Sequence, residues 1–319
     1  MMQKRLKTSV KAAAAIAAAA AADFAALRIF LNMAVERRCR FFKSQDDRKK
    51  PCREEIRRGM DWLDKQRSET VTVKSFDGLK LKGHYIEARD AGRIVVMFHG
   101  WRGTWKHDFG ACARELYEEG SSLLLPEQRA QGESEGTYMG FGILERHDCH
   151  TWLDWVEEHN KENVPVYLYG VSMGAATVLM AAGERLPECV KGIIADCGFS
   201  RPGDMVLNFG QKHFRLVGTR TVKRLTRRCR RKAGFGFDDY SAPEAMENCT
   251  VPVLFIHGKA DTFVPCEMTL HNYEACRSRK RLLLVDGAEH CESYLKDRGA
   301  YMEAVHWLWE QNDGNSAEK

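Results

Sequence analysis

The sequence predicts an α/β fold: a mostly parallel sheet with helices on both faces. Three observations predict it. Apolar runs of strand length recur at residues 93–98, 121–125, 164–169, 190–195, 251–256 and 281–285. They are continuously apolar rather than alternating, the mark of strands buried on both faces. Helix-length segments separate most of them, and alternating strand and helix place successive strands parallel through crossovers.

The elements follow in order. TVTVKSF and LKLKGHYIEA alternate apolar and polar residues around Asp77-Gly78, a turn dipeptide, and so form a hairpin. RIVVMF is the first buried strand, residues 106–119 read as a helix, and residues 121–125 as the next strand. Residues 145–158 form a helix with Leu144, Trp152, Trp155 and Val156 on its apolar side. The strand at 164–169 leads into a helix at 174–186, followed by a strand at 190–195. Two further strands, 251–256 and 281–285, flank a helix near 266–276, and a helix over 294–310 closes the chain. Residues 200–249 break the alternation and read as an insertion.

The 319 residues supply apolar material for one sizeable domain plus an appendage. The division falls into residues 1–60, an alanine-rich segment with a basic linker, and residues 61–319, the globular domain with its insertion. The net charge of +5 is mild for this length and excludes a general nucleic-acid binder. The eleven cysteines are odd in number and scattered, with no C-x-x-C pair, so no zinc knuckle or thioredoxin motif is present. So many thiols suit a reducing, cytoplasmic compartment.

Lys4, Arg5, Lys7 and Lys11 precede an apolar run from 12 to 22 that is almost all alanine. It fits a signal peptide, a membrane span joined to residues 24–35, or an exposed or peripheral helix. Exporting eleven cysteines argues against the first. Asp23 and Arg28 argue against the second, each costing roughly 2.5–3.5 kcal/mol at a span's centre. Basic residues crowd the chain just after this segment, which keeps the globular domain cytoplasmic even if the segment spans.

Gly170-Val171-Ser172-Met173-Gly174 joins a strand to a helix. The pentapeptide alone is a weak signal. On a strand-to-helix turn it thrusts the serine out at the end of the sheet, beside the free N–H groups of a helix N-terminus. A serine needs a base to become a nucleophile, and a base needs a carboxylate to orient it. His290 follows the last strand, and Asp261 follows the strand VLFI. Both lie at carboxyl ends of strands, where sites in open α/β sheets form. Asp196, after the strand GIIA, competes with Asp261 for the acid's role and is the less favoured. Backbone N–H groups of Met173 and Trp101 are the candidate oxyanion donors, with Arg102 as the alternative to Trp101. His99 reads as a brace for its loop and His306 as a packing residue. No metal or organic cofactor is implied, and a serine at the turn excludes an aspartate nucleophile.

HGWRG, PEQRAQGESEG, GVSMG, HGKADTFVP and AEHCES, in this order, resemble the bacterial serine aminopeptidase and lysophospholipase-like branch of the α/β hydrolases. The resemblance covers residues 71–311. It implies an α/β-hydrolase fold, Ser172, Asp261 and His290 as a catalytic triad, and Trp101 and Met173 as the oxyanion hole. Relatives of this kind commonly carry an N-terminal hydrophobic anchor and a helical cap between the strands GIIA and VLFI. Three departures bear on loop packing, substrate choice and anchoring: PEQRAQG replaces an aspartate with R-G-H-G, Lys259 replaces an acid, and the anchor is poor in large apolar residues.

The activity expected is cleavage of a carboxylic ester or related acyl bond through an acyl-enzyme, as in a carboxylesterase or lipase. A serine peptidase, an acyltransferase, and a non-catalytic membrane-tethered binding module are the alternatives. Residues 212–232 carry ten Lys or Arg and no acid. As a helix they place Phe214, Val217, Thr221, Val222, Leu225 and Cys229 on one face and most cations opposite. That is a cap helix with a solvated basic face, or a surface for anionic lipid. The expected partners are therefore a small or lipid-like acyl substrate and an anionic membrane surface.

Overall fold

A computed structural model describes residues 28–29, 32–37, 53–213 and 218–313. Eight strands form one sheet: β1 (Glu69–Lys74), β2 (Lys80–Ile86), β3 (Arg93–Phe98), β4 (Ser121–Pro126), β5 (Val166–Val171), β6 (Val190–Asp196), β7 (Val253–Gly258) and β8 (Lys280–Val285). Their order is β1-β2-β4-β3-β5-β6-β7-β8. The β1–β2 hairpin pairs antiparallel to β4, and every later pairing is parallel. This is the α/β-hydrolase architecture.

The apolar strand runs serve two faces. Val96, Phe98 and Leu168 point into one core, while Val95, Met97 and Tyr167 point into the other. The first face is covered by α4 (Glu145–His159) and α5 (Met173–Ala181). Every residue of α5 is buried, which explains why it is apolar all round. The second face carries α1 (Arg53–Lys65), α2 (Trp105–Phe109), α3 (Ala113–Glu118) and the last helices, α10 (Ser293–Lys296) and α11 (Arg298–Asp313). α9 (Cys266–Ala275) joins β7 to β8.

Two expected single helices are broken. The segment 106–119 divides into α2 and α3 at Gly110, whose backbone packs against Ile56 and Met60 of α1. The final helix divides at Asp297, whose dihedrals (φ −144, ψ 77) are not helical.

Between β6 and β7 the chain forms α6 (Pro202–His213), α7 (Thr219–Ala233) and α8 (Ala242–Met246). The basic segment is thus not one helix. Leu225, Thr226 and Cys229 face the core, whereas Phe214 and Val217 lie outside the described residues. Arg220, Lys223, Arg227 and Arg231 are exposed. The alanine-rich run also lies outside the described residues. Among those described, no helix is long and apolar enough to cross a membrane.

Residues 32–37 dock onto the hydrolase sheet's loops. Arg102 donates to the carbonyls of Met33 (3.0 Å) and Glu36 (2.6 Å), and Trp101 Nε1–H to that of Ala34 (2.8 Å). Glu36 also pairs with Lys232 of α7 (2.6 Å).

Candidate active site

The turn after β5 leaves little room. A Cβ on Gly174 would lie 1.8 Å from the Phe98 carbonyl oxygen, and one on Gly170 2.2 Å from that of Gly174. Only glycine permits this approach. Ser172 between them takes φ 56, ψ −114, a strained conformation for a residue with a side chain. Its N–H donates to the Asp196 carbonyl at 2.9 Å, which ties the turn to β6.

The turn aims Ser172 Oγ at His290. Oγ lies 2.9 Å from His290 Nε2, and Nδ1 lies 2.6 Å from Asp261 Oδ2. Asp261 Oδ1 accepts the N–H groups of Phe263 (2.8 Å) and Val264 (2.9 Å). These contacts fix one carboxylate edge so that the other faces the imidazole. Burial raises the Asp261 carboxyl's pKa, but His257, His290 and the Val264 N–H more than offset this, so it lies well below the usual range. Burial lowers the His290 imidazole, yet Cys197 and Asp261 beside it prevail and hold it well above its ordinary value.

Asp196 does not reach His290. Its Oδ2 accepts from Tyr301 at 3.1 Å, and its Oδ1 has no hydrogen-bond partner among the described residues. Burial pushes its carboxyl up to about 6.

Met173 is the first residue of α5, so its N–H has no carbonyl to bond within the helix. Trp101 follows the end of β3 beside Ser172 and lines the same pocket. The alternative donor, the Arg102 N–H, is taken by Gln131 Oε1 at 2.6 Å. His99 braces this loop: its Nε2 accepts the Gln128 N–H at 3.1 Å, and its carbonyl accepts the Gln128 amide. His306 packs against Trp309 and pairs with Glu119.

The unusual PEQRAQG segment supplies these braces. Gln128 and Gln131 hold the loop after β3, and buried Arg129 pairs with Asp148 (2.6 Å) and Asp77 (2.9 Å). Lys259, the second departure, forms a surface pair with Asp286.

An apolar pocket opens beside Ser172, walled by Trp101, Phe141, Phe199, Met205, Phe209 and Phe263. Met33 and Ala34 of the docked segment complete it. Trp101 apart, little in the sequence points to this wall. Phe199 and Phe263, beyond the ends of β6 and β7, carry a positional signal as Trp101 does after β3.

The fold is that of the α/β hydrolases. Residues 89–241 match the family described as serine aminopeptidase, S33. The uncharacterized protein YqkD of Bacillus subtilis is 25% identical over 242 residues, 76% of this chain and 79% of that protein. The esterase Pf2001 of Pyrococcus furiosus superposes with a TM-score of 0.62 at 20% identity, over 77% of this chain and 93% of that one. Est1E from Butyrivibrio proteoclasticus, solved with ferulic acid bound, gives 0.56 at 17% identity, over 78% of this chain and all of that one.

Proposed function

We propose that the protein is a serine esterase acting on small or lipid-like acyl substrates. The observation that carries this reading is the run of contacts from Asp261 through His290 to Ser172, which ends against an apolar pocket. Ser172 Oγ attacks the acyl carbon while His290 Nε2 takes its proton. Asp261 holds the imidazole in the tautomer that leaves Nε2 free to accept. The tetrahedral oxyanion is held by the Met173 and Trp101 N–H groups, each such donor being worth about 2.7–4 kcal/mol. His290 returns the proton to the departing alcohol, and water clears the acyl-enzyme by the same steps.

An ester is favoured over a peptide by the wall of the pocket. Its lining side chains carry no charge among the described residues, so it suits an acyl chain better than a charged peptide terminus. The basic face of α7 supports a second part of the proposal, approach to anionic membrane surfaces from the cytoplasmic side.

Labelling by a fluorophosphonate probe, with hydrolysis of p-nitrophenyl esters of graded chain length, tests the reading. Wild type is expected to label and turn over, and Ser172→Ala to do neither while remaining folded. Turnover retained in purified Ser172→Ala would remove the nucleophile assignment.

A further inference from the structure

Two thiols that the esterase mechanism does not use flank its base. Cys197 follows Asp196 at the end of β6, and Cys291 follows His290. Their Sγ atoms lie 3.5 Å apart. Each sulfur and a ring nitrogen of His290 fall within 4.8 Å of one another. Both cysteines take left-handed backbone, φ 48 and φ 61, a conformation that costs about 1–3 kcal/mol in a non-glycine residue. The surrounding fold therefore holds both sulfurs in place against strain.

The sulfur–sulfur spacing suits a tetrahedral soft-metal site, and the imidazole lies close enough to complete it with a small shift. Zinc binds thiolate at about 2.3 Å and imidazole at about 2.0–2.1 Å. A tetrahedron of such bonds sets two sulfurs about 3.8 Å apart and sulfur from nitrogen about 3.6 Å apart. The sulfurs already stand close to that separation. A metal-bound histidine usually gives its other ring N–H to a carboxylate, and His290 Nδ1 already faces Asp261. Cys291 is exposed, which provides an entry path.

We propose that Cys197, Cys291 and His290 Nε2 form an inhibitory site for a soft divalent cation of the zinc type. On binding, the two thiols and the imidazolium Nε2 release their protons to solvent, the hydrated cation sheds waters, and two sulfur–metal bonds and one nitrogen–metal bond form. His290 Nε2 can then no longer accept the Ser172 proton. Water or Ser172 Oγ takes the fourth position. The effect on turnover rests on the reading of His290 as the base, whereas the binding itself does not.

The test uses the full chain, stripped of metal and kept in a phosphine reductant. Zinc is titrated against p-nitrophenyl ester hydrolysis, and cobalt(II) against the thiolate-to-cobalt charge-transfer absorption. Each rate is normalised to that variant's metal-free rate. Zinc is expected to suppress the wild-type rate at least tenfold, and a chelator to restore it. Loss of an outer partner alone weakens metal sites about 10–100-fold. Cys291→Ala and Cys197→Ser should therefore shift half-inhibition by at least about tenfold, and the cobalt band should fall in both. Should the chain hydrolyse no ester, the cobalt band still decides whether the site exists. An equal band or equal inhibition in wild type and Cys291→Ala overturns the site. So does an activity loss that fresh reductant reverses and chelator does not, which would report thiol oxidation instead.

Discussion

Replacing Asp261 by asparagine isolates what the carboxylate does for the base. Asparagine can keep its oxygen toward the Phe263 and Val264 N–H groups, as Asp261 Oδ1 does at 2.8 and 2.9 Å. Its amide nitrogen then faces His290 Nδ1 across the present 2.6 Å contact. An amide donates there, so Nδ1 must accept, and the ring proton moves to Nε2. Nε2–H then points at Ser172 Oγ, and the serine proton has no acceptor. In serine hydrolases with this arrangement a wrong tautomer costs about 10⁴ in kcat, which corresponds to about 5.4 kcal/mol of transition-state stabilisation. Asp196→Asn is the matched control. Its oxygen can still accept from Tyr301, and the Asp196 carbonyl that holds the Ser172 N–H is untouched. We expect Asp196→Asn to stay within about tenfold of wild type. The assay is kcat/KM on p-nitrophenyl acetate, with thermal unfolding to show that both variants are folded. Asp196→Asn falling as far as Asp261→Asn, or further, would refute the assignment of the acid.

Four further outcomes are expected. In the presence of a chelator, kcat/KM should rise with pH as His290 loses its proton. Because its pKa is raised, the midpoint should lie above the ordinary histidine value of about 6.5, and a flat profile from pH 5 to 9 would contradict a histidine base. Arg129→Ala strips the charge partner from buried Asp148 and should cost about 3–5 kcal/mol, read by urea unfolding. Met205→Trp should shorten the pocket and shift preference from longer to shorter acyl esters, while labelling by a small fluorophosphonate persists. Replacing Arg220, Lys223 and Arg227 by glutamine should weaken flotation with anionic vesicles at low salt by about 3 kcal/mol, near 150-fold, and unchanged flotation would exclude α7 as the contact.

The sheet was legible because its strands are buried on both faces, and a run such as RIVVMF has few other ways to fold. Strand-end residues were legible for a related reason. Once β5, β7 and β8 are located, Ser172, Asp261 and His290 fall at their carboxyl ends. The break at Gly110 was not legible, because it depends on the backbone of α1 lying against that glycine. The docking of residues 32–37 was equally hidden. Met33, Ala34 and Val35 suit an anchor as well as a pocket wall, and what fixes the segment is Arg102, 66 residues from Glu36. The pairing of Cys197 with Cys291 leaves no spacing signature, since the two sulfurs are 94 residues apart.

The docked segment also separates two kinds of inheritance within this chain. Residues 89–241 hold the serine turn and much of the cap, yet Met33, Ala34 and Phe263 of the pocket wall lie outside that span. On the proposed reading, relatives that agree throughout the shared span are free to diverge in the acyl groups they accept. Mutations in the stretch leading into the domain would then retune selectivity while the strand ends that do the chemistry stay unchanged. A library at Met33, a half-buried residue of the pocket wall, would explore substrate range without touching Ser172, Asp261 or His290.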